Sequence, residues 1–166
     1  MAREELAHAA ELRVHRRQAY RREHPGDARP MDLTIETVAD FHALEQRLEQ
    51  KAAEMHCAVA RALARAGDAD GAAFVDGLAR REAASLPAGG MRIVSAGPFA
   101  EGDEADPLVL LHSALQPLER ASEIYEDLIA HAPSEELLIA QQAALRSVVE
   151  RISSLGARIS KAEARP

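Results

Sequence analysis

Four glutamates at matched places in the two halves of the chain have the clearest capacity for chemistry. The segment from His42 to Glu49 reads His-Ala-Leu-Glu-Gln-Arg-Leu-Glu, and that from His112 to Glu119 reads His-Ser-Ala-Leu-Gln-Pro-Leu-Glu. The pattern H-x-x-x-Q-x-L-E thus occurs twice, seventy positions apart. An E-x-x-S element follows each copy: Glu82 to Ser85, 33 positions after Glu49, and Glu150 to Ser153, 31 positions after Glu119. Matched glutamates on two helical hairpins are the plan of a four-helix bundle that can hold two metal ions. Carboxylate oxygens suit iron and the harder ions Mg, Mn and Ca.

Four bundle helices must position these residues. In the first, Phe41, Leu44, Leu48, Ala52, Met55 and Val59 form an apolar seam at three- and four-residue spacing. Thr34 suits its N-cap and Glu36 its first turn, and Gly67-Asp68 ends it. The second runs from about Asp70 to Leu86, where Pro87 stops it. Residues 87–106 form a long connection with a small apolar piece at Met91-Arg92-Ile93-Val94. Asp106-Pro107 opens the third helix as N-cap and first-turn proline, with Leu111, Leu115, Leu118, Ser122, Tyr125 and Ile129 on its seam. Pro133-Ser134-Glu135-Glu136 opens the fourth, whose apolar face is read as Leu138, Leu145, Val148, Val149, Ile152 and Leu155, with a polar tail after Gly156. Two short turns and one long crossover pair the first helix with the second and the third with the fourth. A further helix over residues 3–23 carries Arg13, Arg16, Arg17 and Arg21 and ends at His24-Pro25-Gly26-Asp27. It is read as a separate arm, residues 1–30, before a bundle domain over 31–166. It is read first as a solvated or docking arm, and otherwise as a helix whose arginines bind an anion or a protein partner.

Bulk composition agrees with an all-α chain. Of 166 residues, 47% are hydrophobic, 28% charged and 3% aromatic, with no Trp. The formal net charge of -7 argues against a dedicated nucleic-acid binder, which needs a basic footprint. No apolar run is long enough for a membrane span, and the first residues lack a signal peptide's apolar stretch. A cytoplasmic protein is expected. The single cysteine, Cys57, can neither form an internal disulfide nor build a thiolate metal site, and reads as a small buried residue.

From about residue 34 to 156 the chain resembles the ferritin-like superfamily, most nearly the rubrerythrin type. The matching residues are Glu49, Glu82, Glu119 and Glu150, with Tyr125 six positions after Glu119. The resemblance implies a ferritin-like four-helix bundle in which these four glutamates hold a dinuclear iron site that passes electrons to oxygen or peroxide. It also implies a homodimer. Where that family carries E-x-x-H, this chain has Ser85 and Ser153, and a hydroxyl is a poor replacement for an imidazole ligand. The site so implied is degenerate. The first function expected is therefore a non-catalytic interaction or regulatory bundle, and the alternative is a diiron oxidoreductase or iron-handling protein.

Helical phase tests the four glutamates separately. Glu82 shares a face with Val75, Leu78, Ala79 and Leu86 and should point inward. At 100° per residue, Glu49 lies about 90° and Glu119 about 110° from the centres of their seams, while Glu150 lies roughly opposite its own. A metal reading requires the four to converge. A scaffold reading instead places Leu48, Leu118 and Leu145 in a dry core, and expects Glu82→Gln to leave stability unchanged or raised. Loss of stability in metal-free protein would point to a structural hydrogen-bond network. His42, Glu49 and His56 share a stripe, repeated in part by His112. The histidines are read as flanking the seam and bonding to neighbouring helices, as are Gln46, Gln116, Gln141 and Gln142.

Overall fold

In the computed structural model the described residues are 35–86 and 106–164. They form α1 (Val38–Arg65), α2 (Ala69–Ala84), α3 (Pro107–Ile129) and α4 (Glu135–Glu163), with no strand among them. The chain divides into units Met1–Thr34 and Ile35–Pro166, and all four helices belong to the second. The expected arm helix over 3–23, the arm 1–30 and the apolar piece at 91–94 lie outside the described residues. Among the described residues, no helix is long and apolar enough to cross a membrane.

Local chemistry fixes the helix ends. α1 is capped by Thr37, not Thr34, because only Thr37 has a carboxylate three residues on. Its side chain accepts from the Asp40 amide, and Asp40 accepts from the Thr37 amide at 3.0 Å. At the other end Gly67 takes φ 84°, and the Gly67 and Asp68 amides donate to the carbonyls of Ala64 and Leu63. Asp68 then caps α2 by accepting from the Gly71 amide at 2.9 Å. Gly71 has no room for a side chain, since a Cβ there would lie 2.1 Å from Asp68 Oδ2. Gly71→Ala should therefore break the cap and lower stability by about 1–2 kcal/mol, read as the shift in urea midpoint. Asp106 and Pro107 start α3, and Ser134 caps α4, as the sequence implies.

α4 departs from its expected outline in two ways. It does not stop at Gly156 but runs to Glu163, because Ile159 is buried and Arg158 reaches Asp68 at 3.1 Å. Tertiary contacts outweigh the glycine's cost to a helix, about 1 kcal/mol. Its inward face is also rotated: Leu137, Gln141, Ala144, Val148, Leu155 and Ile159 are buried, while Leu138, Leu145 and Ile152 are half-buried. Two apolar stripes interleave on this helix, and packing selects the first. Arg151 falls on that stripe, between Val148 and Leu155.

Contacts give the helix directions. α1 and α2 form an antiparallel hairpin. Phe41 meets Tyr125 edge to face at 5.6 Å, and His56 meets the Ala114 carbonyl at 2.8 Å, so α3 runs opposite to α1. Arg151 reaches Glu49 and Arg158 reaches Asp68, so α4 runs with α1. The order is up, down, down, up. Leu63, Leu78, Leu110, Leu111, Leu118, Leu137 and Leu155 are all at most 1% exposed. Each contributes about 2 kcal/mol of apolar burial. The small residues Ala52, Ala53 and Ala60 on α1 and Ala79 on α2 are also buried. At 1.5 Å per residue, the 28 residues of α1 outreach the 16 of α2 by roughly 18 Å. A groove between α1 and α4 continues past the end of α2.

Candidate functional site

Where α2 ends, four polar residues from three helices meet inside the bundle. Glu82, on the last turn of α2 and 1% exposed, points inward as its phase requires. Its Oε2 lies 2.7 Å from His56 Nδ1, and its Oε1 accepts from Arg151 Nη1 at 3.1 Å. The same guanidinium forks onto Glu49: Nη1 donates to Oε2 at 2.7 Å and Nη2 to Oε1. Arg151 Nε is aimed at the Ser147 carbonyl at 3.4 Å, within α4. His56 Nε2 donates to the Ala114 carbonyl on α3. The chain of bonds therefore links all four helices.

The proton count makes this cluster neutral. A carbonyl only accepts, so His56 Nε2 carries a hydrogen, and one further proton lies between Nδ1 and Glu82. On the ring, that proton gives two cations against two carboxylates. On Glu82, it leaves one arginine against Glu49. Either placement sums to zero, which a buried charge cluster needs to avoid a large desolvation cost. Burial works against the Arg151 charge, but the Glu49 hydrogen bonds and the Glu49 and Glu82 charges outweigh it and raise its affinity for the proton.

The cluster lies beside a cavity of about 450 Å³ that opens to solvent. Glu49 and Arg151 form its inner wall, with His42, Glu45 and Gln46 from α1, Arg81 and Ser85 from α2, and Ser147, Glu150 and Ser154 from α4. Tyr125 is fully buried behind this region, and its hydroxyl has no hydrogen-bond partner among the described residues. Burial pushes the phenol well above its usual range, the Glu45 and Glu49 charges push it further, and Arg151 opposes them. A raised folded value means that stability is full below the unfolded tyrosine value of about 10 and is lost as pH rises above it. Tyr125→Phe should remove that part of the alkaline loss. At neutral pH it should be neutral or stabilising by up to about 1 kcal/mol, since no bond is lost. Urea unfolding at pH 7 and pH 10.5 checks both.

The four expected metal residues are placed differently from one another. Glu49 and Glu82 come together on one cation, the Arg151 guanidinium. Glu150 is exposed and lines the cavity, and Glu119 is exposed on α3 outside the cluster. Among the described residues, no group of three or more His, Cys, Asp and Glu side chains could hold a metal ion. The space between Glu49 and Glu82 holds a guanidinium, so this arrangement does not fit a dinuclear ion pair. Ser85 donates to the Glu82 carbonyl at 2.6 Å, within its own helix, and Ser153 is exposed.

The histidines also separate. His56 does bond to neighbouring helices, but from the core and not from the seam's flank. His42 is exposed against Glu45, and His112 is exposed 3.8 Å from Glu163. Gln141 is buried, while Gln46, Gln116 and Gln142 are exposed. Leu118 is buried, and Leu48 and Leu145 are half-buried. Cys57 is half-buried; burial and the Asp76 charge raise its thiol, so it is not an activated thiolate. Sequence reading missed Arg151 altogether. The only signal was its place in the 137–141–144–148–155 repeat, seven positions before Arg158.

No family model matches the chain, and no curated protein or solved structure is significantly similar to it.

Proposed function

We propose that this protein is a ferritin-like bundle that acts as a non-catalytic interaction or regulatory module. The single observation that carries this reading is the bonding of Glu49 and Glu82 to Arg151. The two glutamates that meet are neutralised by Arg151 together with the proton that Glu82 shares with His56, which leaves them no charge to spend on a metal. The up, down, down, up order supports the ferritin-like part of the reading, because it pairs two hairpins through one long crossover. Function then rests on surfaces, in a homodimer and toward a protein partner.

One observation favours the alternative, a rubrerythrin-like diiron protein. Glu49 and Glu82 are adjacent, and Glu150 lines the same solvent-accessible cavity. The test is anaerobic addition of ferrous iron, desalting and metal counting, with sedimentation on the same sample. The module reading expects no iron retained and a dimer by mass. A pair of irons per chain with an oxygen-dependent absorbance change would replace it with the oxidoreductase.

A further inference from the structure

Glu82 is oriented independently of Arg151, because His56 holds its Oε2 from the opposite side at 2.7 Å. That leaves Oε1 free to face a cation. Glu49 presents both oxygens to the same point. Three carboxylate contacts from two directions match the fan of N–H groups on a planar guanidinium. They do not match a small divalent ion, which needs about six oxygens at close range. The cavity of about 450 Å³ brings solvent to the same wall.

We infer that Glu49 and Glu82 form a binding site for a guanidinium cation, filled in cis by Arg151. The inference rests on the reading of the cluster as metal-free. Recognition resides in the two carboxylates, of which Glu82 is held by His56, and Arg151 is the tethered ligand. Removing its side chain beyond Cβ deletes the equivalent of ethylguanidinium and opens the vacated space to the cavity.

The experiment is thermal unfolding of metal-free Arg151→Ala with ethylguanidinium, ethylammonium or Mn²⁺ at equal millimolar concentration. Ethylguanidinium is expected to restore at least about half of the lost Tm, ethylammonium and Mn²⁺ little, and wild type should not respond. Equal restoration by Mn²⁺ would overturn the inference in favour of a metal site. Equal restoration by ethylammonium would reduce it to charge alone. No restoration by any of the three would make Arg151 a packing residue. If Arg151→Ala does not fold alone, the yield of helical protein on refolding with each cation is scored in the same way. Arg151→Lys keeps the charge without the fork and should lie between Arg151→Ala and wild type, with no response to ethylguanidinium. Iron retained by wild type would sink the proposed function, whereas failed rescue sinks only this inference.

Discussion

Arg151→Met is expected to destabilise the protein by about 3–5 kcal/mol, the usual cost of stripping one partner from a buried ion cluster. Methionine roughly fills the arginine stem and is apolar, so lost volume is a minor part of the change. The substitution leaves Glu49 and Glu82 facing each other with no guanidinium between them. Glu49 must then take up a proton or draw water from the cavity, while Glu82 keeps the proton it shares with His56. The check is chemical unfolding at neutral pH, with the neighbouring exposed Arg146→Met as control, which should move stability by no more than about 0.5 kcal/mol. A loss below about 1 kcal/mol would show that the cluster is hydrated and weak.

Glu82→Gln should cost about 1–2 kcal/mol in metal-free protein, against the scaffold expectation of no change. Glutamine keeps the shape but loses the charge that faces both His56 and Arg151. Its amide nitrogen can still donate to a neutral His56 Nδ1 while its oxygen accepts from Arg151, so both contacts survive but without a carboxylate charge. The penalty is the difference between charge-assisted and neutral hydrogen bonds to His56 and Arg151. Glu150→Gln, exposed at the cavity rim, should change stability by less than about 0.5 kcal/mol. A double-mutant cycle between positions 82 and 151 should show coupling above 1 kcal/mol, because the two share one bond network. Equal stability of Glu82→Gln and wild type would return the site to the dry-core account.

Much of this was legible in the sequence. The turns at Gly67-Asp68 and Pro133-Ser134 and the opening at Asp106-Pro107 use residues whose backbone chemistry admits few alternatives. The inward turn of Glu82 followed from phase, because α2 has a single apolar stripe. α4 has two, Leu137–Ala144–Val148–Leu155 and Leu138–Leu145–Ile152, and periodicity cannot choose between stripes of similar strength. That choice decided whether Arg151 lay inside, and so whether Glu49 and Glu82 met a guanidinium. Two residues sequence reading had set at the seam's edge or ignored, His56 and Arg151, proved to complete the site. A basic residue on an apolar stripe carries no local signature. Only its partners on other helices distinguish it from a solvated one.

The neutrality of the cluster also constrains how this protein can change over generations. His56, Glu82, Arg151 and Glu49 form a closed set of partners, so a substitution at any one of them leaves a buried polar or charged group without its partner inside the bundle. A concerted exchange for apolar side chains of similar volume would leave none, and such exchanges are often neutral or stabilising. The two end states are thus separated by intermediates less stable than either. Sequence drift at these positions should be strongly epistatic: the four types persist together or disappear together, while exposed neighbours such as Arg146 and Ser153 vary freely.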